Sequence, residues 1–263
     1  MAEHTPGANA APSPEHPEGG RRGVGGWIAG VFTDPKGTFG EIAEVLDSPH
    51  PTDPAKTKDG SKWWIPFVIA IVITGAISAY TVPKIAMQEQ MGTAREAMIA
   101  RGASEAEIDR AIEMSSAIGG PIGIAAAVIF TVIIFFIAAG LTHLFAKMVG
   151  GKGRFRHARA VTAYAMMITA LGSLVKLPIM ISKNTMVVST GPAILMGDVE
   201  RTNKLFLFLQ SGFDIFIIWS LVVTLFGVAI VYRLSTAKAA VAIVLLWLVF
   251  TAFGTFAGGG FGG

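Results

Sequence analysis

Between residues 63 and 256 the chain holds five long apolar runs, at about 63–82, 121–148, 158–181, 208–232 and 239–256. Each meets or approaches the ~20 apolar residues that a helix needs to cross a bilayer. In hydrocarbon the backbone must satisfy its own hydrogen bonds, so runs of this kind are helices. The expected fold is therefore all-α: a polytopic membrane bundle of five transmembrane helices. Composition agrees. The chain is 52% hydrophobic and only 15% charged, where a soluble domain carries roughly a quarter charged residues. Mean hydropathy is +0.58. The last two runs are joined only by "RLSTAK", residues 233–238, which forces a tight helical hairpin.

Lysine and arginine set the orientation. The connector "KMVGGKGRFRHAR" holds Lys147, Lys152, Arg154, Arg156 and Arg159 with no acid. The last connector holds Arg233 and Lys238, again with no acid, and Lys56, Lys58 and Lys62 precede the first run. These three regions share one side. The other connectors carry balanced charge. The reading is an integral, multi-pass protein of a bacterial cytoplasmic membrane, with its N-terminus cytoplasmic and its C-terminus outside. The bacterial source is suggested by the Gly- and Ala-rich tail.

Residues 1–20 hold four prolines and little that is bulky, and read as a disordered tail. Residues 21–62 form a cytoplasmic amphipathic segment. Thr33 or Asp34 can cap a helix with Pro35 at its first position. Phe39, Ile42, Ala43 and Leu46 then recur at helical spacing, with Trp27, Val31 and Phe32 ahead of them. Such helices suit a membrane surface, and equally suit packing on the ends of the spans. Residues 83–120 are too long for a turn. Ser104 and Glu107 have capping-box spacing, and Met87, Met91, Ala94 and Met98 form an apolar stripe. We expect an extracytoplasmic helical hairpin that packs over the outer span ends. A partner-binding surface is the sharper alternative. Residues 258–263 are a Gly-rich tail.

Several function classes are set aside. The chain has no cysteine, which removes disulfides and thiolate chemistry. No HExxH, Walker A or G-x-S-x-G pattern occurs, so no enzyme is expected. The histidines His4, His16, His50 and His157 lack metal spacing, and no cofactor or metal is expected. Net charge is +3 and the isoelectric point about 9.2. Without basic patches interleaved with aromatics, this speaks for anionic lipid rather than nucleic acid. Lys152, Arg154 and Arg156 are the candidate lipid-head contacts, although setting topology alone is their simpler role. His143 reads as a former of helix–helix hydrogen bonds. Gly119 with Gly123, and Gly254 with Gly258, have the spacing that lets helices approach closely.

The order of these features resembles the Yip domain family, the Ypt/Rab-interacting-protein-like five-span membrane proteins. "GVFTDPKGTFGEI" is similar to its opening segment and "WWIPFVIAIV" to the start of its first span. "GGKGRFRHARAVTAYAMMITALGSLVKLP" is similar to its Gly-rich turn and Ala-Tyr span. The nearest stretch is "FDIFIIWSLVVTLFGVAIVYRLSTAKAAVAIVLLW". The chain departs at Ile215, where many members have proline. The resemblance covers residues 24 to 257 and implies five spans with a cytoplasmic N-terminus. Eukaryotic members bind prenylated small GTPases, a partner that is not carried over here.

Two charges remain inside the apolar runs. Lys176 lies near the outer end of the third and Asp214 near the outer start of the fourth, at similar depth. Lys176 continues the small-residue face Ala165, Thr169, Gly172 and Ser173. An unpaired charge at a helix centre costs ~2.5–3.5 kcal/mol on insertion scales. The two are therefore expected to face each other as an intramembrane ion pair, the alternative being that each snorkels to the headgroups alone. The expected function is non-enzymatic: membrane organisation, or a scaffold or accessory subunit. It would act through the lipid bilayer, other membrane proteins or self-association. The alternative is a small transporter or channel component with a polar path near Lys176 and Asp214.

Overall fold

The computed structural model describes residues 22–50, 53–57, 60–197 and 203–257. The tails expected at 1–20 and 258–263, and Lys58, lie outside them. Two short helices come first, α1 (Val24–Thr33) and α2 (Pro35–Asp47). They meet at Asp34, whose carboxylate accepts the Gly37 N–H at 2.9 Å while Pro35 fills the first helical position, where its missing N–H costs nothing. The periodic residues Phe39, Ile42 and Leu46 are wholly buried. They share one core with α1 residues Trp27 and Val31 and with the central helices. The apolar face of this segment is thus covered by protein.

A three-way contact ties α1 to α2. Glu41 accepts from Arg22 Nε at 2.6 Å and from Trp27 Nε1 at 2.8 Å. Burial works against the Glu41 charge, but the bonds from Trp27 and Arg22 outweigh it and hold the carboxyl below its usual pKa. A depressed carboxyl contributes stability above its unfolded pKa and loses it as pH falls through the folded value. We therefore expect acid to loosen α1. Glu41→Gln should show the same faster amide exchange in α1 already at neutral pH, with little further change on acidification. Equal acid sensitivity in both proteins would remove Glu41 as the cause.

A small antiparallel hairpin follows, β1 (Pro49–His50) with β2 (Asp53–Thr57). It is the exception to an otherwise helical chain among the described residues. α3 (Trp64–Thr81) then runs through a π-helical turn at Val82–Ala86 into α4 (Met87–Ala100). Pro83 lies in that turn, whose widened bonding absorbs the missing N–H and lets the helix continue. After Gly102, in the left-handed region at φ +80, comes α5 (Glu105–Met148). Glu107 caps it, accepting from the Ser104 N–H at 2.8 Å and hydroxyl at 2.7 Å. α5 has 44 residues, continuous through Pro121. At 1.5 Å per residue it is about 66 Å long, twice the ~30 Å hydrocarbon core. Gly119 and Gly123 are where the returning helix seats: added Cβ atoms would come within 2.8 Å of Met87 and of Val82.

α6 (Phe155–Lys183), α7 (Lys204–Gly212), α8 (Ile215–Val231) and α9 (Thr236–Ala257) complete the bundle. α6 is central, touching α1, α2, α3, α5 and α8. Four helices are long and apolar enough to cross a membrane, and α7 with α8 makes a fifth crossing if that pair, bent by 45°, is one span. The run at 208–232 is thus not one straight helix. Asp214 causes the break: its own backbone is extended, and its side chain accepts the Phe216 N–H at 3.0 Å as the N-cap of α8. Trp247 Nε1 steadies the gap by donating to the Gly212 carbonyl at 2.8 Å. We call the end with α1, α2 and the α5–α6 and α8–α9 connectors proximal, and the other end distal.

Candidate functional sites

At the proximal end, the chain between α5 and α6 folds over one side chain, Tyr232. Its carbonyl accepts the Lys152 N–H at 3.0 Å. Its hydroxyl lies 2.7 Å from His143 Nδ1 and 3.3 Å from the Arg154 carbonyl. Gly151 and Gly153 lie flat on its ring, where added Cβ atoms would come within 2.8 and 2.7 Å of it. These glycines are required by close approach. His143 bonds across helices, in the way expected of a histidine in a span.

That seating brings Lys152, Arg154 and Arg156 to one cavity of about 210 Å³, which Gly153, His157, Arg233 and Asp47 also line. Asp47, the last residue of α2, bridges two of these groups. Its Oδ1 is 3.2 Å from His157 Nε2 and its Oδ2 is 3.0 Å from Arg233 Nη2. Burial disfavours its charge, but the bonds from Arg233 and His157 outweigh this and hold the carboxyl below its usual pKa. The cavity therefore gathers four basic side chains around the Asp47 carboxylate. Sequence reading missed Asp47, His157 and Arg233 as partners. Arg233 registered only as a topology charge, and nothing local marks Asp47.

At the distal end, Lys176 Nζ lies 2.5 Å from Asp214 Oδ2, which also accepts the Thr190 hydroxyl at 2.5 Å. Asp214 is 2% exposed and Lys176 22%. With Phe216 N–H on Oδ1, the carboxylate ties together α6, the loop after it and α8. Gly191 beside Thr190 lies close against the Phe213 carbonyl. Gly172, on the Lys176 face of α6, packs against Phe216, which an added Cβ would approach to 2.6 Å. Thr190 had no signal in the sequence. Among the described residues no group of three His, Asp or Glu could hold a metal ion.

Apolar helices packed side by side, with their charges gathered at the ends or paired within, define a polytopic α-helical membrane protein. The model of the Yip1 domain matches residues 29–257, and the chain belongs to that family. No curated protein and no solved structure matches the chain.

Proposed function

We propose that the protein is a non-enzymatic membrane scaffold that holds anionic lipid headgroups in the proximal cavity, with the proximal end facing the cytoplasm. One observation carries this reading: Lys152 and Arg154 of the α5–α6 connector, Arg156 of the first turn of α6 and Arg233 of the α8–α9 connector converge on one cavity. Basic residues near an anionic surface contribute ~1 kcal/mol each, and a shaped cavity adds position to that attraction. Phe155, 39% exposed, and Met148, 67% exposed, offer apolar surface at the same end. The excess of Lys and Arg in these connectors supports the orientation. The distal pair supports a fixed framework rather than a polar path, because the Asp214 carboxylate is engaged by α6, the following loop and α8 at once.

Two tests apply. The chain has no cysteine, so single cysteines can be labelled cleanly. Positions 151–156 should react only from the cytoplasmic side and positions 100–115 only from outside; the reverse pattern overturns the orientation. In nanodiscs of mixed phosphatidylcholine and phosphatidylglycerol, the wild type should enrich the anionic lipid around itself. Changing Lys152, Arg154 and Arg156 together to Gln should abolish most of that enrichment. Undiminished enrichment would refute the cavity as its source.

A further inference from the structure

We propose that the ligand of the proximal cavity is a phosphomonoester and that Asp47 occupies two of its oxygen positions until it binds. The inference rests on the reading above, that this cavity receives phosphate-bearing headgroups. Asp47 already behaves as a resident anion, with one oxygen toward His157 Nε2 at 3.2 Å and the other toward Arg233 Nη2 at 3.0 Å. His157 is a committed donor there. Its Nδ1 accepts the Arg154 N–H at 2.9 Å, which leaves the ring proton on Nε2. The His157 side chain is 4% exposed, and that of Asp47 is 39% exposed at the end of its helix. The imidazole is therefore fixed, while the carboxylate can yield.

The donors fall into two sets. His157 and Arg233 hold Asp47, whereas Lys152 and Arg154 line the rest of the cavity together with Arg156, which is itself already engaged. A phosphodiester has one charge and two free oxygens, enough to satisfy one set. A phosphomonoester carries about −1.5 to −2 charges at neutral pH and three strong acceptor oxygens. It can replace Asp47 on His157 and Arg233 and still reach the connector cations. Preference for the monoester then depends on Arg233, and overall affinity is restrained by competition from Asp47.

The test uses the full chain in neutral detergent, titrated calorimetrically with dioctanoyl phosphatidic acid, dioctanoyl phosphatidylglycerol and glycerol 3-phosphate. The wild type should bind the phosphatidic acid about tenfold more tightly than the phosphatidylglycerol, the equivalent of one good contact. Asp47→Asn, nearly isosteric, should tighten phosphatidic acid binding several-fold, and Asp47→Glu should restore competition. Arg233→Gln should bring the two lipids to similar affinity. Unfolding temperatures of each variant separate these effects from misfolding. Equal binding of both lipids by the wild type, or weaker binding in Asp47→Asn, overturns the inference. If that binding is still lost in the Lys152, Arg154 and Arg156 variant, the headgroup reading survives. Binding of no lipid, or binding that ignores that variant, overturns both. Glycerol 3-phosphate binding as tightly as the phosphatidic acid upholds the phosphomonoester but removes the lipid as its source.

Discussion

Lys176→Met is expected to destabilise the protein by about 3–5 kcal/mol, because it strands a buried carboxylate. Asp214 is 2% exposed, and the remaining donors, Thr190 and the Phe216 N–H, are neutral. The informative partner is Asp214→Asn. Asparagine removes the charge but keeps Oδ1 to cap α8, while its amide N–H can donate to the Thr190 hydroxyl, so loss of the cap, worth about 1 kcal/mol, does not confuse the comparison. The double variant should be more stable than Lys176→Met alone, since neither charge is then left without its partner. Unfolding of the four proteins in detergent gives the coupling directly. Additive losses would show that the two charges act separately, each snorkelling to its own interface.

Tyr232→Ala is expected to cost a similar ~3–5 kcal/mol, the range for removing a buried aromatic side chain. Tyr232 is wholly buried and is the floor on which Gly151 and Gly153 lie. Its loss should therefore do more than destabilise: the basic connector should lose its seat. Trypsin should then cut at Lys152 and Arg154 far faster than in the wild type. Tyr232→Phe keeps the ring and loses only the hydroxyl contacts to His143 and Arg154, so it should cost about 1 kcal/mol and leave the connector protected. Rapid cleavage in both variants would assign the seating to the hydroxyl rather than to the ring.

The contrast between these two sites shows what the sequence can carry. Apolar runs declare helices in a membrane protein because length and composition alone satisfy the bilayer. The break at Asp214 was written there too, as an N-cap residue ahead of an apolar helix, but the apolar stretch at 205–209 disguised it as a continuation. Pro83 and Pro121 stand at the edges of the first and second apolar runs, yet the helices run through both. At Pro83 the π-helical turn Val82–Ala86 accommodates the missing N–H and lets the helix continue. Lys176 and Asp214 could be matched because two charges in apolar runs at equal depth have few other partners. The proximal cavity offered no such shortcut. Asp47 is 110 residues from His157 and 186 from Arg233, and charges outside the spans have many possible partners. Only the docking of α2 onto α6 and α8 selects these.

Headgroup photocrosslinking would locate the anionic lipid on the protein. The full chain is reconstituted with an anionic lipid bearing a photoreactive headgroup, and the modified peptides are mapped by mass spectrometry. Adducts should concentrate between residues 147 and 159 and around Arg233, and be lost when Lys152, Arg154 and Arg156 are changed to Gln. Adducts spread evenly around the bundle, or confined to the distal hairpin of α4 and α5, would contradict headgroup binding in the proximal cavity.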